Sequence, residues 1–361
     1  MLPREEKHEY SVEDFNGDWI IVSYWQALNS RVMRAPIGHS QDKNHWQEII
    51  PHDDETLIYD VNPEAVKKTN NNIHPFFDNK ITGIRATLDL KESIDYADYI
   101  LLAVPTKFMR DSLRDINKLA TRKLYFINVS KGIEPVTLKR VSEIVTDEIT
   151  PELLGAYAVL TGPSHAEEVI ERKLTVLTAA SDVEWFRKSV QQLFSNQSYL
   201  RVYTSDDLIG CEVGGAIKNA IAIVSGMMTG YGLGENARAA LITRGILEIV
   251  RVVVHYGGKK ETAFGLTGIG DLIVTASSYN SRNFNAGLKI GQGTPVEQVL
   301  SESKMVVEGV RAIQAAKDLC VQTGIELPII EITYEVIFNN MSVKEAIQNL
   351  LTRELKEEVI A

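Results

Sequence analysis

The residue in this chain best placed to do chemistry is a lysine inside an apolar stretch. Lys218 lies within residues 211–254, where Ile217, Ala220, Ile221 and Val224 recur around it at helical spacing. A charge on such a face costs energy unless it is paired or used. One reading is that the stem snorkels and the ammonium sits in water. The other is that the ammonium points into a cleft and donates a proton. Four further groups bear on the choice. Lys131 falls in the polar loop Asn128-Val129-Ser130-Lys131-Gly132; by itself it reads equally as a solvated loop lysine. Asp271 closes Gly268-Ile269-Gly270-Asp271, read as a tight turn whose carboxylate could orient an ammonium or a substrate hydroxyl, or serve as an ordinary turn aspartate. Ser281-Arg282-Asn283 groups a hydroxyl, a guanidinium and an amide, which suits the several acceptor oxygens of a phosphate, although a loop and helix cap explains it too. Asp60 ends a strand, where an acid can hold adenosine ribose hydroxyls and repel a 2′-phosphate; the alternative is a cap before Asn62-Pro63.

Elements must position these groups. From residue 55 onward the chain alternates strand and helix: TLIYDVNPEAVKK, then ESIDYADYILLAVPTKFMRDSLRDI, KLYFINVSKGI and YAVLTGPSHAEEVI, with LTVLTAASD and SYLRVYTSD as further short strands. That alternation predicts βαβ units and a mainly parallel sheet. Asp60, Pro105, Lys131 and Ser164 fall at strand carboxyl ends, where open sheets of this kind bind ligands. After about residue 205 the period becomes helical through to the end. The expectation is an α/β Rossmann-like domain over 1–204 with a mainly parallel sheet, followed by an all-α domain over 205–361.

The 361 residues suffice for two cores. A net charge of −10 argues against a nucleic-acid partner. No apolar run approaches the ~20 residues of a membrane span, and MLPREEKHEY lacks the core of a signal peptide. Cys211 and Cys320 form no spaced framework, which points to reduced thiols and a cytoplasmic protein. His8, His39, His45 and His52 match no compact metal motif, so no metal is expected.

The order NVSKGI, LTGPSHAEEV, EVGGAIKNAIAI, GYGLGENARAALITRG, GLTGIGDLIVT, SSYNSRN and VVEGVRA resembles the bacterial-type NAD(P)-dependent glycerol-3-phosphate dehydrogenases over about residues 55–345. The resemblance implies a Rossmann-like domain, a helical domain and an active site between them. It also implies interconversion of dihydroxyacetone phosphate and sn-glycerol 3-phosphate with NAD or NADP, supplying phospholipid synthesis. By the same resemblance Lys218 is the proton donor and acceptor. It implies that Lys131, Gly162, Ser164, Asp271, Ser281, Arg282 and Asn283 contact substrate and that Lys131, Ala166, Arg282, Val306 and Glu308 contact the cofactor, to which Asp60 is added by its place at a strand end. A homodimer is one option for the assembly.

The sequence departs from that pattern at its start. A glycine-rich G-x-G-x-W-G-T-A motif should follow the first strand, and WIIVSYW (19–25), the candidate buried strand, has none after it. Gly268-Ile269-Gly270 is no substitute, since Asp271 would repel a pyrophosphate, and Gly214-Gly215 is explained equally by close helix packing. Tyr59-Asp60-Val61-Asn62 carries no arginine for a 2′-phosphate, which favours NAD. Two accounts fit residues 1–55. Either the segment is read in a shifted frame, or the phosphate loop is truly lost and the chain is an impaired or inactive homologue. Ile37-Gly38-His39-Ser40 can be encoded as ATT GGG CAC AGC, which one base on reads Leu-Gly-Thr-Ala.

Overall fold

In the computed structural model, residues 56–81, 83–196, 198–302, 307–355 and 357–358 are described in full, together with the backbone of 10–15, 18–23, 31–36 and 47–50. Those four segments, β1 (Tyr10–Phe15), β2 (Asp18–Ser23), β3 (Arg31–Pro36) and β4 (Gln47–Ile50), form an antiparallel meander in sequence order. The candidate strand WIIVSYW falls in β2 as far as Ser23. Its last two residues, the four histidines and Ile37 to Ser40 lie outside the described residues.

The predicted βαβ alternation follows. β5 (Thr56–Tyr59), α1 (Pro63–Asn70) and β6 (Ile84–Thr87) make one parallel unit. Asn62 caps α1 by accepting from Glu64 N, and Pro63 takes the first turn, where its missing N–H costs nothing. Next come α2 (Leu90–Tyr96), β7 (Tyr99–Leu102), α3 (Thr106–Leu119), β8 (Leu124–Asn128), α4 (Val141–Glu148), β9 (Leu154–Thr161), α5 (Ala166–Ile170), β10 (Thr175–Ala180), α6 (Glu184–Phe194) and β11 (Leu200–Ser205). The larger sheet runs β11-β10-β9-β8-β7, parallel except where β10 meets β9. Phe126, Ile127, Leu113 and Val145 anchor its faces at 1% exposure or less.

Among the described residues no strand pairs with the edge of β5 away from β6, or with the edge of β7 away from β8. In a dinucleotide fold the first strand lies between the second and the fourth. Ile58, Tyr59 and Leu101, apolar residues on these two strands, are correspondingly exposed at 38%, 39% and 48%.

From Leu208 the chain is helical: α7 (Leu208–Gly230), α8 (Glu235–His255), α9 (Lys260–Ala263), a π-helical turn at Leu266–Gly270, α10 (Asp271–Ser277), α11 (Arg282–Gly291), α12 (Val296–Glu302), α13 (Glu308–Thr323), α14 (Pro328–Phe338) and α15 (Val343–Leu351). At 23 residues α7 has the length and hydropathy of a membrane span, contrary to the expectation that no apolar run comes near that size. It is the core of the helical region, and residues Gly210–Met227 are buried without a break. α11 packs on it backbone to backbone. A Cβ at Gly226 would stand 2.0 Å from Phe284 O, and one at Gly287 2.0 Å from Ile223 O. Only glycine permits that approach, and it brings the start of α11 beside the middle of α7.

Candidate active site

Lys218 is 4% exposed, so the snorkelling alternative fails. Its Nζ donates to Asp271 Oδ1 at 2.7 Å and to Thr275 Oγ1 at 2.5 Å. The second oxygen of Asp271, Oδ2, accepts from Lys131 Nζ at 2.5 Å, and Lys131 also donates to Gly162 O at 3.2 Å. One buried carboxylate thus holds two ammonium groups, one from the loop after β8 and one from α7. Asp271 does not stand on a tight turn, as the glycines suggested. It opens α10 directly after the π-helical turn, whose wider coil re-aims the chain. A Cβ at Gly268 would stand 1.9 Å from Ala263 O, so that glycine is what lets the turn close.

Burial strips water from Lys218 and disfavours its charged form, and the neighbouring Lys131 charge adds to this. The Lys218 pKa comes down to about 7 despite the opposing pull of Asp271. Burial alone would raise the Asp271 carboxyl, but Lys131 and Lys218 outweigh it and hold it below the usual aspartate range. Lys218 can therefore exist in either protonation state near neutrality, while Asp271 stays ionised.

The other expected residues are distributed around this cluster. Ser281 caps α11, its Oγ accepting from Phe284 N at 3.2 Å. Asn283 donates to Asn219 Oδ1 at 3.0 Å and accepts from Gly309 N at 2.9 Å, which ties α11, α7 and α13 together next to Lys218. Arg282 is the first residue of α11, and its charge acts on Glu308. Glu308 opens α13, and burial pushes its carboxyl up against the pull of Arg311, Arg282 and Lys107. Gly162 takes φ +142° after β9, and Ser164 Oγ donates back to its carbonyl at 3.2 Å. Ala166 begins α5. Asp60 follows β5 and accepts from Asn62 N at 2.8 Å. Val306 lies outside the described residues.

The sequence reading missed Thr275. It sits four residues after Asp271 on the same helix and donates to the Asp271 carbonyl at 2.6 Å, a spacing that α10 would have disclosed had Asp271 been read as helical. The Gly214-Gly215 pair is explained by packing: added Cβ atoms would stand 3.3 Å from Thr267 O and 3.2 Å from Thr161 Oγ1. Among the described residues no group of three or more His, Cys, Asp and Glu could hold a metal ion.

Whether the chain fits a nicotinamide dinucleotide can be tested on its polar atoms. Thr106 Oγ1, at the start of α3, is buried with no hydrogen-bond partner. It lies against Gly132, between the carboxyl ends of β7 and β8, where an added Cβ would come within 2.5 Å of it. An unsatisfied donor there, with Lys131 next to it, suits a polar ligand laid across the strand ends.

A mainly parallel α/β sheet followed by a helical region, with Lys131 from the first and Lys218 from the second held on one buried carboxylate, has the architecture of the dinucleotide-dependent oxidoreductases. Comparison with known proteins narrows the class. The NAD-dependent glycerol-3-phosphate dehydrogenase N-terminus matches residues 50–186, and the C-terminus of the same family matches residues 207–348. A glycerol-3-phosphate dehydrogenase [NAD(P)+] of Acholeplasma laidlawii is 98% identical over 315 residues, covering 87% of this chain and 95% of that protein. One from Staphylococcus aureus is 46% identical over 308 residues, covering 84% and 92%. The crystal structure of the Coxiella burnetii glycerol-3-phosphate dehydrogenase superimposes with TM-score 0.78 at 30% identity, over 83% of this chain and 92% of that one. The chain belongs to the NAD-dependent glycerol-3-phosphate dehydrogenase family.

Proposed function

We infer that the chain interconverts dihydroxyacetone phosphate and sn-glycerol 3-phosphate by hydride transfer with NAD(P)H. The observation that carries this reading is the pairing of buried Lys218 and partly buried Lys131 on the single buried carboxylate of Asp271. When bound, the nicotinamide supplies the hydride to the ketone carbon or takes it back from the alcohol. Lys218 hydrogen-bonds the ketone oxygen, stabilises the developing alkoxide and gives it the proton. In the reverse direction neutral Lys218 accepts the proton from the hydroxyl. Asp271 and Thr275 hold its Nζ in place in both directions. Lys131 reaches substrate and cofactor from the opposite domain. Arg282 and Asn283, with Ser281 fixing the helix start, take the phosphate, using a bidentate guanidinium at a helix N-terminus. Gly162, Ser164 and the start of α5 at Ala166 border the substrate, while Arg282, Val306 and Glu308 complete the cofactor side.

Asp60 and the lack of an arginine beside it support NAD over NADP. The domain division we propose is near residue 205, between β11 and α7. Two buried free cysteines suit a reducing compartment, and the cytoplasm is the one we propose. Supply of glycerol 3-phosphate to phospholipid synthesis and a homodimeric assembly belong to the same proposal.

Identity of 98% to a glycerol-3-phosphate dehydrogenase favours a working enzyme over an inactive relic. Residues 1–49 lie outside both family matches, so the phosphate loop remains the point to test. NADH oxidation by the chain with dihydroxyacetone phosphate decides the matter. Turnover is expected; no turnover of any phosphorylated ketone, with no NADH binding, would support the relic.

A further inference from the structure

Glu212 is a buried charge that the chemistry above does not use. It lies in the second turn of α7 and is 7% exposed. Four donors from the α/β side converge on it. Ser142 N and Tyr157 Oη donate to Oε1 at 2.9 and 2.6 Å, and Ser142 Oγ and Arg140 Nη1 donate to Oε2 at 2.6 and 2.9 Å. Arg140 and Ser142 stand at the start of α4 and Tyr157 on β9, so the carboxylate joins two elements of the α/β domain to the helix that carries Lys218. Burial pushes the Glu212 carboxyl up, and the donors pull against it.

The joint is next to the reacting groups. Glu212 and Lys131 line the same small pocket, of ≈ 10 Å³, room for a single water. One step of three residues along α7, Gly215 packs beside the Lys131 stem, where an added Cβ would be in ordinary van der Waals contact with its Cδ at 3.8 Å. A further step of three reaches Lys218. Lys131 is carried by the loop after β8 and Lys218 by α7, and both ammonium groups meet Asp271 on α10, so a shift of α7 against the α/β domain changes the offset between them. The only ion pair shown between α7 and the α/β domain, among the described residues, is Glu212 with Arg140.

We propose that Glu212 is a positioning residue: its carboxylate clamps α7 to the α/β domain and thereby sets where Lys218 stands relative to Lys131. The proposal rests on Lys218 and Lys131 being the reacting pair inferred above. Loosening the clamp lets α7 shift and water reach Lys218. The groups facing Lys218 are Asp271, Lys131 and Thr275, and those facing Glu212 are Arg140, Ser142 and Tyr157. With water admitted and Lys131 displaced, the ammonium form of Lys218 becomes easier to keep.

The test reads Lys218 without requiring turnover. Competitive acetylation of the full chain with acetic anhydride, read by mass spectrometry across pH, gives the titration midpoint of Lys218. Wild type is expected near pH 7. Glu212→Gln and Tyr157→Phe, the second retaining the ion pair and ring, are expected to move it upward, by roughly a unit and by less, respectively. Where turnover is measurable, kcat of Glu212→Gln should fall ~10-fold or more, as for a reactive group displaced by a fraction of an ångström, with KM for the ketone little changed. A lowered melting temperature with an unmoved midpoint in both variants would make Glu212 a structural brace only and overturn the proposal. If Glu212→Gln does not fold, the midpoint of Tyr157→Phe alone decides. Failure of wild type to turn over dihydroxyacetone phosphate while the midpoints move would count against the function and leave the positioning role standing.

Discussion

At the scale of single residues the decisive fact is that Asp271 serves two lysines at once. Removing it leaves the buried Lys218 and the partly buried Lys131 without their counterion, and breaking a buried pair on one side costs ~3–5 kcal/mol. Asp271→Asn should therefore unfold at markedly lower denaturant concentration than wild type, whereas Lys218→Met, which removes the more buried cation, should cost much less. Equal destabilisation by the two would show that the charges are not sharing one counterion. This pairing was only half legible in the sequence. Lys218, Lys131 and Asp271 are each visible as candidates, but Asp271 is 53 residues from Lys218 and 140 from Lys131, and nothing in local spacing says that they meet. The order of motifs supplied that, through resemblance. Thr275 and Glu212 stayed hidden because a polar residue on a helix reads as solvated until the neighbouring element is known.

At the scale of elements, α7 and α11 are docked by glycine. Gly226-x-x-x-Gly230 on one helix meets Gly287-x-x-x-Gly291 on the other, and added Cβ atoms at these four positions would stand 2.0–2.2 Å from carbonyl oxygens of the facing helix. The spacing of four is itself a readable signal for close helix approach, though the sequence reading did not use it. Gly287→Ala should push the helices apart and carry Arg282 and Asn283 away from Lys218. We expect lower thermal stability and a raised KM for the phosphorylated substrate, measured in one preparation. An unchanged KM would detach phosphate binding from the α7–α11 contact. The strands and helices that the sequence marked from residue 55 on followed from alternation and turn residues, whereas β6 and most of the β1–β4 meander were not read from it. The turn before α10 broke the expectation because a π-helical coil has no simple sequence period.

At the scale of the whole molecule, stability depends on pH through buried groups. Glu248 on α8 is 2% exposed, and its carboxylate accepts from Ile329 N and Ile330 N at the start of α14. Burial lifts its pKa to about 7. A folded-state value above the unfolded one means the native protein holds the proton more tightly. The contribution is therefore full below the unfolded carboxyl pKa and is lost as pH rises through about 7. Relative to Glu248→Gln, wild type should lose on the order of 3 kcal/mol between pH 4.5 and 8. Denaturation curves across that window check it; a parallel pH dependence in the two proteins would refute the assignment. The molecule is also unequal along its length. The family match begins at residue 50, the sheet edges at β5 and β7 carry exposed apolar residues, and the Lys131–Asp271–Lys218 cluster lies wholly in the matched part. The missing glycine motif was plain in the sequence. The open edges were not, because strand neighbours are a property of the assembled sheet.

The most direct test of the central claim is the pH profile of ketone reduction for wild type and Lys218→Ala. Proton donation by Lys218 predicts a wild-type kcat that is flat below about pH 7 and falls tenfold per unit above it, in line with the pKa set by burial and Lys131. The oxidation of glycerol 3-phosphate should show the mirror profile. Lys218→Ala should lose ~10²–10⁴ of the rate, and the break near pH 7 should vanish with it. A Lys218→Ala enzyme retaining wild-type kcat, or the same break, would contradict the account.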